Sequence, residues 1–310
     1  MKTADTSIWV TGSNTTVMLF LTEMRSNLNT IHKLKNAIYI FVLSCLLFFN
    51  KSNAQELQKV SDTLKVELIK TITGNFSYFN VDVFNNLYLI NAKNQLIKYN
   101  EKGDSVGVFN DLRKYGKLSF IDVSNPFKIL AFFNEYKYVV TLDQLLTFRN
   151  AINLRNKDFF NVSTIATSYD NNIWIFDERD FKLKKINDIG QSLLESADLR
   201  IISEETPKPT AIIQSKEQIF LYDENKGFFI FDNYGAYKNK IPLLKWKNPN
   251  VNNNKLLGFD ANKIYTYELN SLNLKEWRMP SVIQDYEDLK FYNNHLFVLK
   301  KGTLNIYDIK

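Results

Sequence analysis

The chain has 310 residues, 45% of them apolar and 14% aromatic, with 39 basic against 33 acidic side chains, two histidines and one cysteine. Such a composition is globular rather than disordered or fibrous, and one cysteine rules out a disulfide framework. Basic and acidic side chains are interspersed, with no run of five like charges, which excludes the concentrated basic stripe that nucleic acid would require.

The first segment carries an export pattern. Arg25, His32, Lys33 and Lys35 precede an apolar run at residues 37–49, and Ser52-Asn53-Ala54 follows before Gln55. A basic start, a short greasy middle and small residues before a cut describe a secretory signal peptide, and the run is shorter than the roughly 20 residues of a membrane span. The expected organisation is residues 1–23 as an over-extended start or a long n-region, 24–54 as the signal peptide, and 55–310 as one domain. Cleavage after Ala54 predicts an exported protein, periplasmic or secreted, with no cysteine. Lipid attachment at Cys45 is disfavoured, because Leu46-Leu47-Phe48-Phe49 continues the apolar run where a lipidated chain turns polar.

Beyond the leader, six short apolar strands recur. They are Leu87-Tyr88-Leu89-Ile90, Ile129-Leu130-Ala131-Phe132, Ile173-Trp174-Ile175-Phe176, Ile219-Phe220-Leu221-Tyr222, Ile264-Tyr265-Thr266-Tyr267 and Leu296-Phe297-Val298-Leu299. Their first residues step by 42, 44, 46, 45 and 32. A period in the forties built from strands and turns predicts an all-β fold, a six-bladed β-propeller with four-stranded antiparallel blades. In the first unit Phe79, Val81 and Val83 alternate as one strand, residues 87–90 form the second, 96–99 the third and 106–109 the fourth. The turn before the fourth strand recurs as Asn100-Glu101-Lys102-Gly103, Asn187-Asp188-Ile189-Gly190 and Asp232-Asn233-Tyr234-Gly235. Asn or Asp bonds the local backbone there, and Gly accepts positive φ.

Three features complete the expected architecture. The last unit supplies only three strands before Lys310, so the alternating segment 64–69 is expected to pair as its fourth and close the ring, since an open ring exposes sheet edges. The short step to Leu296 suggests that the blade holding Trp277 has a reduced outer strand. Residues 191–209, with Glu195, Glu204, Glu205, Pro207 and Pro209, read as an irregular insertion before the fourth blade.

The run of a polar turn, an apolar-aromatic strand, Leu-x-Lys-hydrophobic and then Asn/Asp-x-x-Gly is clearest at residues 171–176 and 183–190. It resembles six-bladed propellers of the NHL and TolB-like type over roughly residues 77–310. That resemblance specifies a fold more than an activity.

Catalytic signals are sparse. His295 is the only histidine after the leader and falls just before a second strand, where a rim or turn residue is expected; no G-x-S-x-G is present. No catalytic residue, cofactor site or metal site is assigned. The clusters Asp177-Glu178-Arg179-Asp180 and Asp223-Glu224-Asn225-Lys226-Gly227 lack the spacing of a calcium loop and read as hairpin turns. Asp82, Asp122, Asp260 and Glu287 are the carboxylates that could meet in a central channel. Trp174, Trp246 and Trp277 read as packing between blades rather than as a sugar platform. The leading functional reading is an exported, non-enzymatic scaffold or binding module with a protein or envelope partner. The alternatives are a metal-dependent lactonase-type enzyme and a glycan- or peptide-binding propeller.

Overall fold

A computed structural model describes residues 61–310 apart from Asn253; the expected signal peptide and Cys45 lie outside the described residues. The chain begins with β1 (Ser61–Thr63) and β2 (Val66–Ile72) and then runs through blades in order. Blade one is β3 (Phe76–Val81), β4 (Leu87–Asn91), β5 (Leu96–Tyr99) and β6 (Ser105–Phe109). Blade two is β7 (Phe120–Asp122), β8 (Lys128–Phe133), β9 (Tyr138–Asp143) and β10 (Phe148–Asn153). Blade three is β11 (Val162–Thr167), β12 (Ile173–Asp177), β13 (Lys182–Ile186) and β14 (Ser192–Glu195), followed by α1 (Leu199–Ile202), the one α-helix among the described residues. Blade four is β15 (Ala211–Gln214), β16 (Gln218–Asp223), β17 (Gly227–Asp232) and β18 (Tyr237–Ile241). Blade five is β19 (Lys247–Asn252), β20 (Lys255–Phe259), β21 (Lys263–Glu268) and β22 (Asn273–Arg278). Blade six is β23 (Asp288–Tyr292), β24 (His295–Lys300) and β25 (Thr303–Ile309), with β2 as its outer strand. The chain is thus a six-bladed β-propeller of four-stranded antiparallel meanders.

Each blade buries both of its faces, and strand alternation divides the side chains between two neighbours. In β4, Leu87 and Leu89 pack toward blade six, whereas Tyr88 and Ile90 pack toward blade two. In β12, Ile173 and Ile175 face blade two while Trp174 and Phe176 face blade four. Six apolar clusters fill the six junctions between blades, including the one between blade six and blade one. Burial on both faces explains why the second strands are continuously apolar.

The closing-turn prediction holds in detail. Asn100, Asn187 and Asp232 accept backbone amides with their side-chain oxygens at 2.8 to 3.1 Å, and Gly103, Gly190 and Gly235 take φ of 97°, 78° and 76°. Blade two makes the same turn with Leu146 at φ 62° in place of glycine. β2 lies antiparallel on β25, with Val66 opposite Ile309 and Ile72 opposite Leu304. Just before it, β1 pairs in parallel with β22, so this short segment touches the outer edges of two blades.

Two expectations about irregular units are corrected. Ile264 to Tyr267 lies in the third strand of blade five; the second strand is β20. Blade five is therefore complete, and Trp277 sits in a full six-residue outer strand. The pattern misled because Gly258 interrupts the apolar run of β20, while Ile264-Tyr265-Thr266-Tyr267 of β21 imitates one. Gly258 packs against Trp246: a Cβ there would stand 2.5 Å from its ring. Residues 191–209 are not wholly an insertion either. β14 is the outer strand of blade three, and only the stretch after it, with α1 capped by the Asp198 side chain, leaves the sheet.

Candidate binding face and central channel

In an antiparallel meander the turns between the first and second strands and between the third and fourth strands emerge on one face. Blades one to four carry exposed apolar side chains on this face, at both positions on blades two and three and at one position on blades one and four. Phe84, Phe127 and Tyr169 stand on the inner turns of blades one, two and three, with Phe127 64% exposed. Leu145, Ile189 and Tyr234 stand on the outer turns of blades two, three and four, with Tyr234 76% exposed. In each outer turn the backbone amide of that residue bonds the preceding Asx side chain, at 2.9, 3.1 and 3.0 Å. The turn needs only that amide. Blade one has Lys102 at the same place, so the apolar identity is not required by local structure.

These turns are fastened to one another. The Phe84 and Phe127 rings meet edge to face at 6.2 Å. Asn125 donates to Asn171 Oδ1 at 2.7 Å, and Lys128 Nζ reaches both the Asn171 carbonyl and the Asp188 carboxylate. Asn293 of blade six donates to Asn85 of blade one at 3.4 Å. The apolar groups are thus held in a fixed arrangement, which lowers the ordering cost of binding.

The channel opens inside this ring of turns. Its cavity, about 570 Å³, is lined by the inner strands of all six blades. One layer contributes a residue per blade at the same register, each opposite the second residue of its blade's buried run: Asn80, Asp122, Ala166, Ile213, Asn250 and Lys290. The polar members tie blades together. Asn80 Nδ2 donates to the Ile121 carbonyl at 2.7 Å, Asn250 Nδ2 to the Phe291 carbonyl at 3.3 Å, and Lys290 Nζ to Asn80 Oδ1 at 3.3 Å. Asp122 accepts the amides of Ser124 and Thr167, the latter from blade three. Burial holds the Lys290 ammonium below its ordinary pKa despite the charge of Asp288, and burial raises the Tyr78 phenol.

Of the four carboxylates considered for a channel metal, only Asp122 lines the cavity. Asp82, 1% exposed, is enclosed beside the first turn, where it accepts the amides of Phe84 and Asn86, the Asn86 side chain and the Tyr88 hydroxyl. Lys98 stands 3.9 Å away. Asp260 caps the turn between β20 and β21 and accepts the Tyr265 hydroxyl. Glu287 is exposed ahead of β23. Sequence spacing put Asp82 and Asp122 in comparable segments, but they lie two register positions apart, one in the turn and one in the channel. Among the described residues no three His, Cys, Asp or Glu side chains are grouped as a metal site.

The remaining candidates are absorbed locally. Asp177 and Asp180 both pair with the buried Lys184. Asp223 accepts the amides of Asn225, Lys226 and Lys208. His295 is the first residue of β24, its Nε2 3.9 Å from Asp308. Trp174 is fully buried and donates to Gln214 at 2.9 Å, and Trp246 stacks on Tyr265 at 5.4 Å. Trp277 packs partly buried between blades five and six.

The fold is shared with solved propellers. A catalytically inactive virginiamycin B lyase from Staphylococcus aureus, solved with quinupristin, is similar at TM-score 0.58 and 13% identity, over 80% of this chain and 100% of that one. A streptogramin B lyase structure is similar at 0.53 and 13%, over 76% and 79%. The Cps50 (Swd1) β-propeller domain of Myceliophteria thermophila is similar at 0.52 and 9%, over 79% and 100%. At these identities the likeness is one of fold. No family model matches the sequence, and no curated protein matches it.

Proposed function

We propose that the protein is an exported, non-enzymatic propeller of the NHL/TolB-like type that binds another protein or an envelope component. The binding face is the one carrying Phe84, Phe127, Tyr169, Leu145, Ile189 and Tyr234. The observation that carries this reading is the solvent exposure of these six side chains on turns whose geometry does not ask for apolar residues. Exposed aromatic and aliphatic groups gathered on one surface mark interaction sites. Aromatic anchors on a rigid base are the usual source of binding energy at such sites. The basic start, apolar run and Ser52-Asn53-Ala54 support export with cleavage before Gln55.

A crosslinked pull-down from native cell envelopes tests the reading, using tagged protein beginning at Gln55 and the triple variant Phe84→Ser, Phe127→Ser, Tyr169→Ser. A stoichiometric partner recovered by the parent chain and lost by the variant supports it. A blank, or a partner retained by the variant, contradicts it.

A further inference from the structure

The channel layer is divided chemically. Asn250, Lys290, Asn80 and Asp122 make a polar arc across blades five, six, one and two, while Ala166 and Ile213 make an apolar wall across blades three and four. Lys290 is the one member with a positive charge. Among the described residues its Nζ has a single hydrogen bond, to Asn80 at 3.3 Å, and lies over the Tyr78 and Phe79 rings at 5.3 and 5.6 Å. No carboxylate of the described residues stands within ion-pair distance of it. Lys290 is half-buried in the channel wall, and a cation drawn away from bulk water is ordinarily compensated by a paired anion.

Asn80 and Asn250 flank this ammonium in the same layer. Each spends one amide N–H on the carbonyl of a neighbouring blade, and its side-chain oxygen accepts the following backbone amide, Val81 or Val251. The second amide N–H of each has no bond among the described residues. Three donors from three successive blades, one of them charged, therefore border a cavity whose far wall is apolar. Its volume of about 570 Å³ is of the size that houses small ligands.

We propose that the channel binds a small amphiphilic monocarboxylate, its carboxylate held by Lys290, Asn80 and Asn250 and its apolar body against Ala166 and Ile213. A single negative charge fits better than two. Asp122 lines the same layer, and Asp288 lies close enough to act on both Lys290 and Tyr78, so a second ligand carboxylate would meet repulsion. This site is distinct from the exposed turn residues of the proposed partner face.

Hexanoate is the probe, with hexanamide and adipate as neutral and doubly charged controls. Binding is read by calorimetry and by NMR of the Asn80 and Asn250 side-chain amides, on the parent chain and on Lys290→Met. Hexanoate is expected to saturate and to shift those amides. Binding should weaken about tenfold or more in Lys290→Met, and hexanamide and adipate should bind the parent chain about tenfold or more weakly. If Lys290→Met does not fold, the three-ligand comparison on the parent chain decides alone. No saturable hexanoate binding up to about 20 mM, or equal binding of hexanamide, would overturn the proposal. So would unchanged affinity in a folded Lys290→Met. The surface triple variant should keep hexanoate binding, which separates failure of this site from failure of the partner face.

Discussion

Leu146 occupies, in the outer turn of blade two, the left-handed position that Gly190 occupies in blade three, at φ 62° against 78°. A non-glycine residue there costs about 1 kcal/mol or more in backbone strain. Leu146 offsets it by burial: it is 1% exposed, in the cluster between blades one and two with Ile129, Val140 and Leu142. Leu146→Ala should therefore cost about 2–4 kcal/mol in urea unfolding, because the strain remains and the packing is lost. Gly190→Ala should be destabilising as well, since its Cβ would stand 2.8 Å from Lys157 and 2.9 Å from Ile152.

Asp82 is an architectural carboxylate on this account. Its substitution by Ala strands the Tyr88 hydroxyl and the half-compensated Lys98 ammonium in a buried site. The expected loss is about 3 kcal/mol or more. Calcium or magnesium should not alter the melting temperature of the parent chain through this residue. A parent-chain shift with metal that disappears in the variant would count against the assignment.

Asp170, in the inner turn of blade three, sets one limb of the pH dependence. Burial would raise its pKa, but hydrogen bonds from Ser168, Lys185 and Asn172, with the Lys185 charge, outweigh it and bring it to about 2 from 3.8. Its folded value is below its unfolded one, so its contribution is complete above about pH 4 and is lost as pH falls toward 2. With allowance for its partial exposure, the contribution is about 1 kcal/mol. The unfolding curves of the parent chain and Asp170→Asn should converge over that window; parallel curves would refute the assignment.

The segment that pairs with the last blade is expected to act as a clasp. β2 covers β25 along its length, and β1 covers the outer edge of blade five. Removing residues 60–72 leaves both edges open and should lower the melting temperature of the whole domain in one cooperative transition. Unchanged melting would show that these strands are passive.

The second strands of five blades were legible in the sequence because both faces of each blade are buried, so Leu87 to Ile90 and its counterparts in those blades carry four apolar residues in a row. The Asx-x-x-Gly turns were legible because glycine marks positive φ; Leu146 was not, because its burial replaces the signal. Blade five was misplaced because Gly258 interrupts the apolar run of β20, and the run at Ile264 in β21 was read in its place. The channel layer was hidden, since it takes one residue from each blade at intervals near forty and has no local pattern. Ile189 and Tyr234 did carry a signal, an apolar residue in a polar turn that needs none.

The most direct test of the partner face is site-specific photo-crosslinking in intact cells. A photoreactive phenylalanine analogue at Phe127 or Tyr234 probes the proposed face, and one at Tyr136 or Phe160 probes the opposite face; all four side chains are exposed. The account predicts a discrete adduct from Phe127 and Tyr234 and none from Tyr136 and Phe160. Adducts from the opposite face alone, or no adduct at any of the four positions, would contradict it.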